Sequence, residues 1–130
     1  MIYNNLVKHY FFQPEHIGKL DGTLSRTAYC SISDASKSNY FDLYIACDES
    51  EQIIRACFKA CGSPYLIASL EWLCKQLEGS FLKAHPKLTY LVLVSHLDIP
   101  NHVYPIAILV EKGYNNIILA MKKKLNEEKK

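Results

Sequence analysis

The chain has 130 residues, 49% of them hydrophobic and 22% charged, with a formal net charge of +2. Length and apolar content suffice for one domain whose core needs no disulfide or metal, and they exclude a disordered chain. The small net charge argues against a nucleic-acid surface. The one basic concentration, Lys122-Lys123-Lys124 with Lys129 and Lys130, is interrupted by Glu127 and Glu128 and reads as a solvated helix end.

In chain order, residues 2–12 carry Leu6, Val7, Tyr10 and Phe11 at helical spacing, and Pro14 ends that helix. Gly18 and Asp21-Gly22 mark turns. Three strands are predicted next, at 27–33, 40–47 and 52–59. In the second, Phe41, Leu43, Ile45 and Cys47 alternate onto one face; in the third, Ile54, Ala56 and Phe58 do the same. The short polar connections make these strands an antiparallel meander. The period then becomes helical. Ser63-Pro64 is an N-cap followed by a first-turn proline, Leu66, Leu70, Leu73 and Leu77 form one stripe, and Gly79 stops the helix. A second long helix is predicted over 104–125, weakened at Gly113 by about 1 kcal/mol relative to alanine. Between them, 83–100 is β-like in composition, yet Thr89 is placed to cap a short helix ending near Leu97, and helix is the reading adopted. Strands first and helices afterwards predict an α+β fold, a three-stranded antiparallel sheet with helices packed on one face. A single domain over 1–125 and a charged tail over 126–130 follow.

No apolar run, 91–94 included, approaches the ~20 residues a membrane span needs. The N-terminus lacks the pattern of a secretory signal, so a soluble, cytoplasmic protein with reduced thiols is expected. Of five cysteines, Cys47 reads as core, Cys74 as half-buried packing and Cys57 as a surface thiol. Cys57 and Cys61 have no second pair to make a zinc ribbon. His9 reads as structural, and His16, His85 and His96 stand alone. No catalytic triad, HExxH helix or phosphate-binding loop is present, and no enzyme is expected.

Several strings resemble the IscU/NifU N-terminal family, the scaffolds on which iron–sulfur clusters are built. They are Leu6-Val7-Lys8-His9-Tyr10 with Pro14 and Ile17-Gly18-Lys19-Leu20-Asp21; Ala28-Tyr29-Cys30; Arg55-Ala56-Cys57-Phe58-Lys59 with Cys61-Gly62-Ser63 and Ile67-Ala68-Ser69; and Leu97-Asp98-Ile99-Pro100-Asn101-His102-Val103-Tyr104-Pro105. The resemblance covers nearly the whole chain. It implies a cluster site made of three cysteines, an aspartate and a histidine, and a cysteine desulfurase as sulfur donor.

The ligand positions have changed. In an ungapped match Cys30 keeps the first cysteine, the aspartate becomes Ile32, the second cysteine Ser63, the histidine Tyr104 and the third cysteine Pro105. Cys61 matches the second cysteine only with a compensated shift. A partial site from Cys30 and Cys61, with His102 or Asp34 as auxiliary ligands, is one reading; a degenerate pocket that holds no cluster or zinc stably is the other. The chaperone-read loop is altered too, at Ile99 and His102. The expectation is a scaffold-like protein of iron–sulfur cluster assembly with a degenerate metal site. The alternatives are a non-catalytic interaction protein binding a cysteine desulfurase or a true scaffold, and a zinc or single-iron protein completing its site as a homo-oligomer.

Overall fold

Asn4 starts the first helix, α1 (Asn5–Phe12), in a computed structural model that describes residues 3–128. Its Oδ1 accepts the Val7 amide at 2.9 Å, which caps α1, while its Nδ2 donates to Leu97 O at 2.6 Å and anchors that end to a distant segment. This cap sets the helix start at Asn5 rather than residue 2, which lies outside the described residues.

β1 (Thr27–Ser33), β2 (Tyr40–Cys47) and β3 (Ile53–Cys61) form the expected antiparallel meander in the order β1-β2-β3. Cys30 pairs with Leu43 and Leu43 with Phe58, so this row faces the helices; the adjacent row, Tyr29, Tyr44 and Cys57, points the other way. Phe41, Leu43, Ile45 and Cys47 are all buried. Ile54 departs from expectation and is 54% exposed. The register shifts between Ala46, paired with Arg55, and Cys47, paired with Ile53. Ile54 is the extra residue of this bulge, and Ile53 takes the buried place.

α2 (Pro64–Leu77) packs against β3, and α4 (Tyr104–Glu128) crosses β1 and β2 on the same face. α1 covers α2, and α3 (Tyr90–Leu97) packs on α4. Ser63 Oγ accepts the Tyr65 and Leu66 amides at 3.1 and 3.4 Å, capping α2 ahead of Pro64. Leu66, Leu70, Leu73 and Leu77 are fully buried, each contributing roughly 2 kcal/mol of transfer free energy. α2 also buries Trp72, whose ring lies beside that of His96 in α3, and Cys74, the latter completely rather than by half.

The ambiguous segment is helical. Thr89 Oγ1 accepts the Val92 amide at 3.4 Å, Glu111 accepts that of Tyr90 at 2.6 Å, and Asp98 ends the helix at φ 50°. As a helix it turns Leu93 and Leu97 into the core and leaves Leu91 exposed. α4 continues through Glu128, so residues 126–128 of the expected tail are helical; residues 129–130 lie outside the described ones. Gly113 sits where α4 meets β2: a Cβ there would lie 2.6 Å from Phe41 Cε2 and Cζ. The glycine that weakens the helix permits this contact.

Candidate functional site

Where β2 begins and β3 ends, the sheet meets the starts of α2 and α4. A cleft of about 290 Å³ lies there, lined by Tyr3, Asn39, Ser63, Tyr65, His102, Val103, Pro105 and Ile106. Ser63, His102 and Pro105, three positions singled out in the sequence, thus share one site. The tight junction depends on Gly62, whose Cβ would fall 2.4 Å from Asn39 Oδ1 and 2.8 Å from Leu66 Cδ2. Asn39 Oδ1 accepts the Ser63 amide at 3.1 Å and so fixes the β1–β2 turn to the α2 N-terminus.

The donors at this cleft are few. Ser63 Oγ already serves as the α2 cap. Pro105 has no side-chain donor. Asp34 is engaged in its own turn: Asn39 Nδ2 donates to its Oδ2 at 3.0 Å, and Ser36 and the Asn39 amide donate to Oδ1 at 3.3 Å. The Asn39 side chain first, and the neighbouring donors after it, hold the Asp34 carboxyl below its usual range. Tyr104 packs edge-on against Tyr90, with ring centroids 6.2 Å apart, and does not line the cleft. His102, exposed, is the only imidazole among the lining residues.

The structure does not bring Cys30 and Cys61 together. Cys30 belongs to the row facing the helices, and its Sγ donates to Gly113 O at 3.6 Å. Burial, with the Asp42 carboxylate adding to it, pushes its thiol up to about 12, so it is protonated at neutral pH. Cys61 pairs with Tyr40, three residues along β3 from the Phe58 that shares Cys30's row, and therefore points to the opposite face. The two are also about 10 Å apart along the strands and about 10 Å apart across them. Cys61 is exposed, beside the Tyr40 hydroxyl. Ile32 is core, next to the space over Gly113. The residue that the fold sets beside Ser63 is Asn39, at the first position before β2, which drew no attention in the sequence.

Cys57, read as a surface thiol, is buried at 1%. Strand alternation does aim it away from the helices, but residues 16–18 run alongside β3 and cover it, with Gly18 against it. The three histidines read as isolated are all engaged. His85 Nδ1 lies 2.6 Å from the Tyr114 hydroxyl, the His96 ring lies 5.0 Å from that of Trp72, and His16 lies between Glu71 and Glu78.

Iron–sulfur clusters require about four thiolate-type ligands, and zinc a similar closed set. One imidazole, a capping hydroxyl and a proline do not fit either group. Among the described residues there is no set of three or more His, Cys, Asp or Glu able to hold a metal ion.

The chain is thus an α+β domain, a three-stranded meander backed by helices on one face, with a cleft at the sheet end framed by the starts of two long helices. The chain belongs to the NifU-like N terminal domain family, whose model matches residues 2–128. Its fold is similar to the crystal structure of a candidate iron–sulfur cluster assembly scaffold protein for the SUF system (FiSufU) from the thermophile Fervidobacterium islandicum AW-1. The TM-score is 0.70 at 15% identity, covering 89% of this chain and 96% of that one. It is also similar to a nitrogen-fixing NifU-like protein (N-terminal) from Brucella abortus, with a TM-score of 0.67 at 11% identity, covering 93% and 94%. At such identities the likeness speaks for the fold. No curated protein matches the chain in sequence. Among the described residues no helix is long and apolar enough to cross a membrane.

Proposed function

We propose that this chain acts in iron–sulfur cluster assembly as a scaffold-like, non-enzymatic protein with a degenerate metal site, its task being to hold a protein partner rather than to close a cluster. The partner class implied by the family is a cysteine desulfurase or a second, ligand-complete scaffold. One observation carries this reading: the cleft at the sheet end brings Ser63, His102 and Pro105 together but has no thiolate, while Cys30 and Cys61 lie on opposite faces of the sheet. A scaffold that kept its fold and lost soft donors retains a shaped surface without the chemistry that iron requires.

The test is anaerobic incubation with a cysteine desulfurase, iron and cysteine, followed by absorbance, elemental analysis and mass spectrometry of each thiol. The expected result is no cluster chromophore, no stoichiometric iron or zinc and no persulfide on Cys30 or Cys61, together with retention of the desulfurase or of a scaffold by both the natural chain and Cys30→Ser. A stoichiometric cluster, or loss of partner binding in Cys30→Ser, refutes it.

A further inference from the structure

Among the described residues, His16 is the one imidazole with a carboxylate at each ring nitrogen. Glu71, on α2 and only 2% exposed, accepts the amides of Glu15 and His16 through Oε1, both at 2.9 Å, and its Oε2 lies 2.5 Å from His16 Nδ1. Glu78, the C-cap of α2, places Oε1 2.7 Å from His16 Nε2 and accepts the Ala56 amide of β3 through Oε2 at 3.0 Å. A neutral imidazole has one N–H and satisfies one of these carboxylates; the imidazolium donates to both.

The segment held this way covers the part of the β3 edge around Phe58, beyond the stretch where Ile53 already pairs with Gly79 and Ser80. β3 is an edge strand, and residues 16–18 add a short parallel bridge to it: Phe58 N donates to His16 O, and Gly18 N to Phe58 O, each at 2.9 Å. The same segment lies over Cys57, whose Sγ is 4.0 Å from where a Gly18 Cβ would stand. The charged groups facing His16 are Glu71 and Glu78 from α2, with Glu15 beside it in the chain; Cys74 of α2 lies near both carboxylates, and Cys57 of β3 lies near Glu78 and Arg55. Lys75 of α2 is directed elsewhere, 5.6 Å over the Tyr10 ring.

We propose that His16 is a proton-operated latch on the β3 edge: the imidazolium bridges Glu71 and Glu78 of α2 beside residues 15–18, and loss of its proton breaks the Glu78 contact and loosens that segment over the strand edge and Cys57. Burial by itself disfavours the charged ring, but the hydrogen bonds and charges of Glu71 and Glu78 outweigh it and raise its pKa above 6.5. The latch is therefore closed below the raised value, and the stability it contributes is lost as pH rises through it. The proton that remains stays on Nδ1, towards buried Glu71. The contact that fails is Nε2 with Glu78, whose side chain is 34% exposed and can turn to water.

The test is an NMR titration of the intact chain between about pH 6 and about pH 9, following the His16 ring nitrogens and the exchange protection of the Gly18 and Phe58 amides, corrected for intrinsic base catalysis. The expected result is a His16 midpoint above 6.5 and a loss of protection of about tenfold or more at both amides through that midpoint, with Leu43 and Ile45 in β2 unchanged. His16→Gln should leave the Gly18 and Phe58 amides poorly protected at every pH. Flat protection across the His16 titration, or a midpoint at or below 6.5, overturns the latch. Should His16→Gln fail to fold, the titration of the natural chain decides the matter alone.

Discussion

Gly113→Ala tests how α4 is seated on the sheet. On an exposed helix this change would stabilise by about 1 kcal/mol, because alanine is the better helix former. Here the added Cβ falls 2.6 Å from two ring carbons of Phe41, with Ile32 Cγ1 at 3.5 Å. Ordinary carbon–carbon contact begins near 3.5 Å, so helix and ring must separate by roughly 1 Å. Phe41 is 1% exposed and belongs to the core cluster. Overpacking of this kind costs about 1–3 kcal/mol, and a rigid ring struck at two atoms belongs at the upper end. The net expectation is a destabilisation of about 2 kcal/mol, or about 5–8 °C in Tm for a chain of this length. Urea unfolding gives the number, and Phe41→Leu supplies the control. With the ring removed, Gly113→Ala should become neutral or stabilising, leaving a coupling energy of about 2–3 kcal/mol in the double-mutant cycle. Stabilisation by Gly113→Ala in the otherwise natural chain would refute the close approach.

Three further predictions concern the thiols, a buried hydroxyl and the cleft. In the native state one thiol, exposed Cys61, should react promptly with a disulfide reagent at neutral pH, because Cys30 and Cys47 are pushed up to about 12 and about 11 by burial and nearby carboxylates; prompt labelling of Cys30 would contradict this. Ser69 Oγ is fully buried without a hydrogen-bond partner, so Ser69→Ala should leave stability unchanged or raise it by up to about 1 kcal/mol in thermal unfolding. Replacing Asn39 by Asp together with Ser63 and Pro105 by Cys puts three donors beside His102 in one cleft. That variant should retain zinc near one equivalent by elemental analysis, with loss of the Ser63 cap costing about 1 kcal/mol. A metal-free product would mean that these positions do not converge.

Signals confined to a few consecutive residues were legible directly. Alternation in β2, the leucine stripe of α2, the Ser63 and Thr89 caps and the sharp stop at Gly79 are all local in the chain, and from them the meander, the helices and the α+β class follow. The family strings lie on this same local pattern, and the family model matches residues 2–128. The lack of a donor side chain at Ile32 and Pro105 was also legible, since isoleucine and proline carry none in any fold.

Placement required the tertiary structure, because it depends on pairings between residues far apart in sequence. Strand register, which no single strand encodes, put Cys30 and Cys61 on opposite faces and seated Asn39 against Ser63. One bulge exchanged Ile54 for Ile53, and one loop laid along an edge buried Cys57. Gly113 read as a weak point in a helix until Phe41 was found beneath it. His16 read as isolated because its two carboxylates enter the chain more than fifty residues later, and only the packing of α2 against β3 returns them to it.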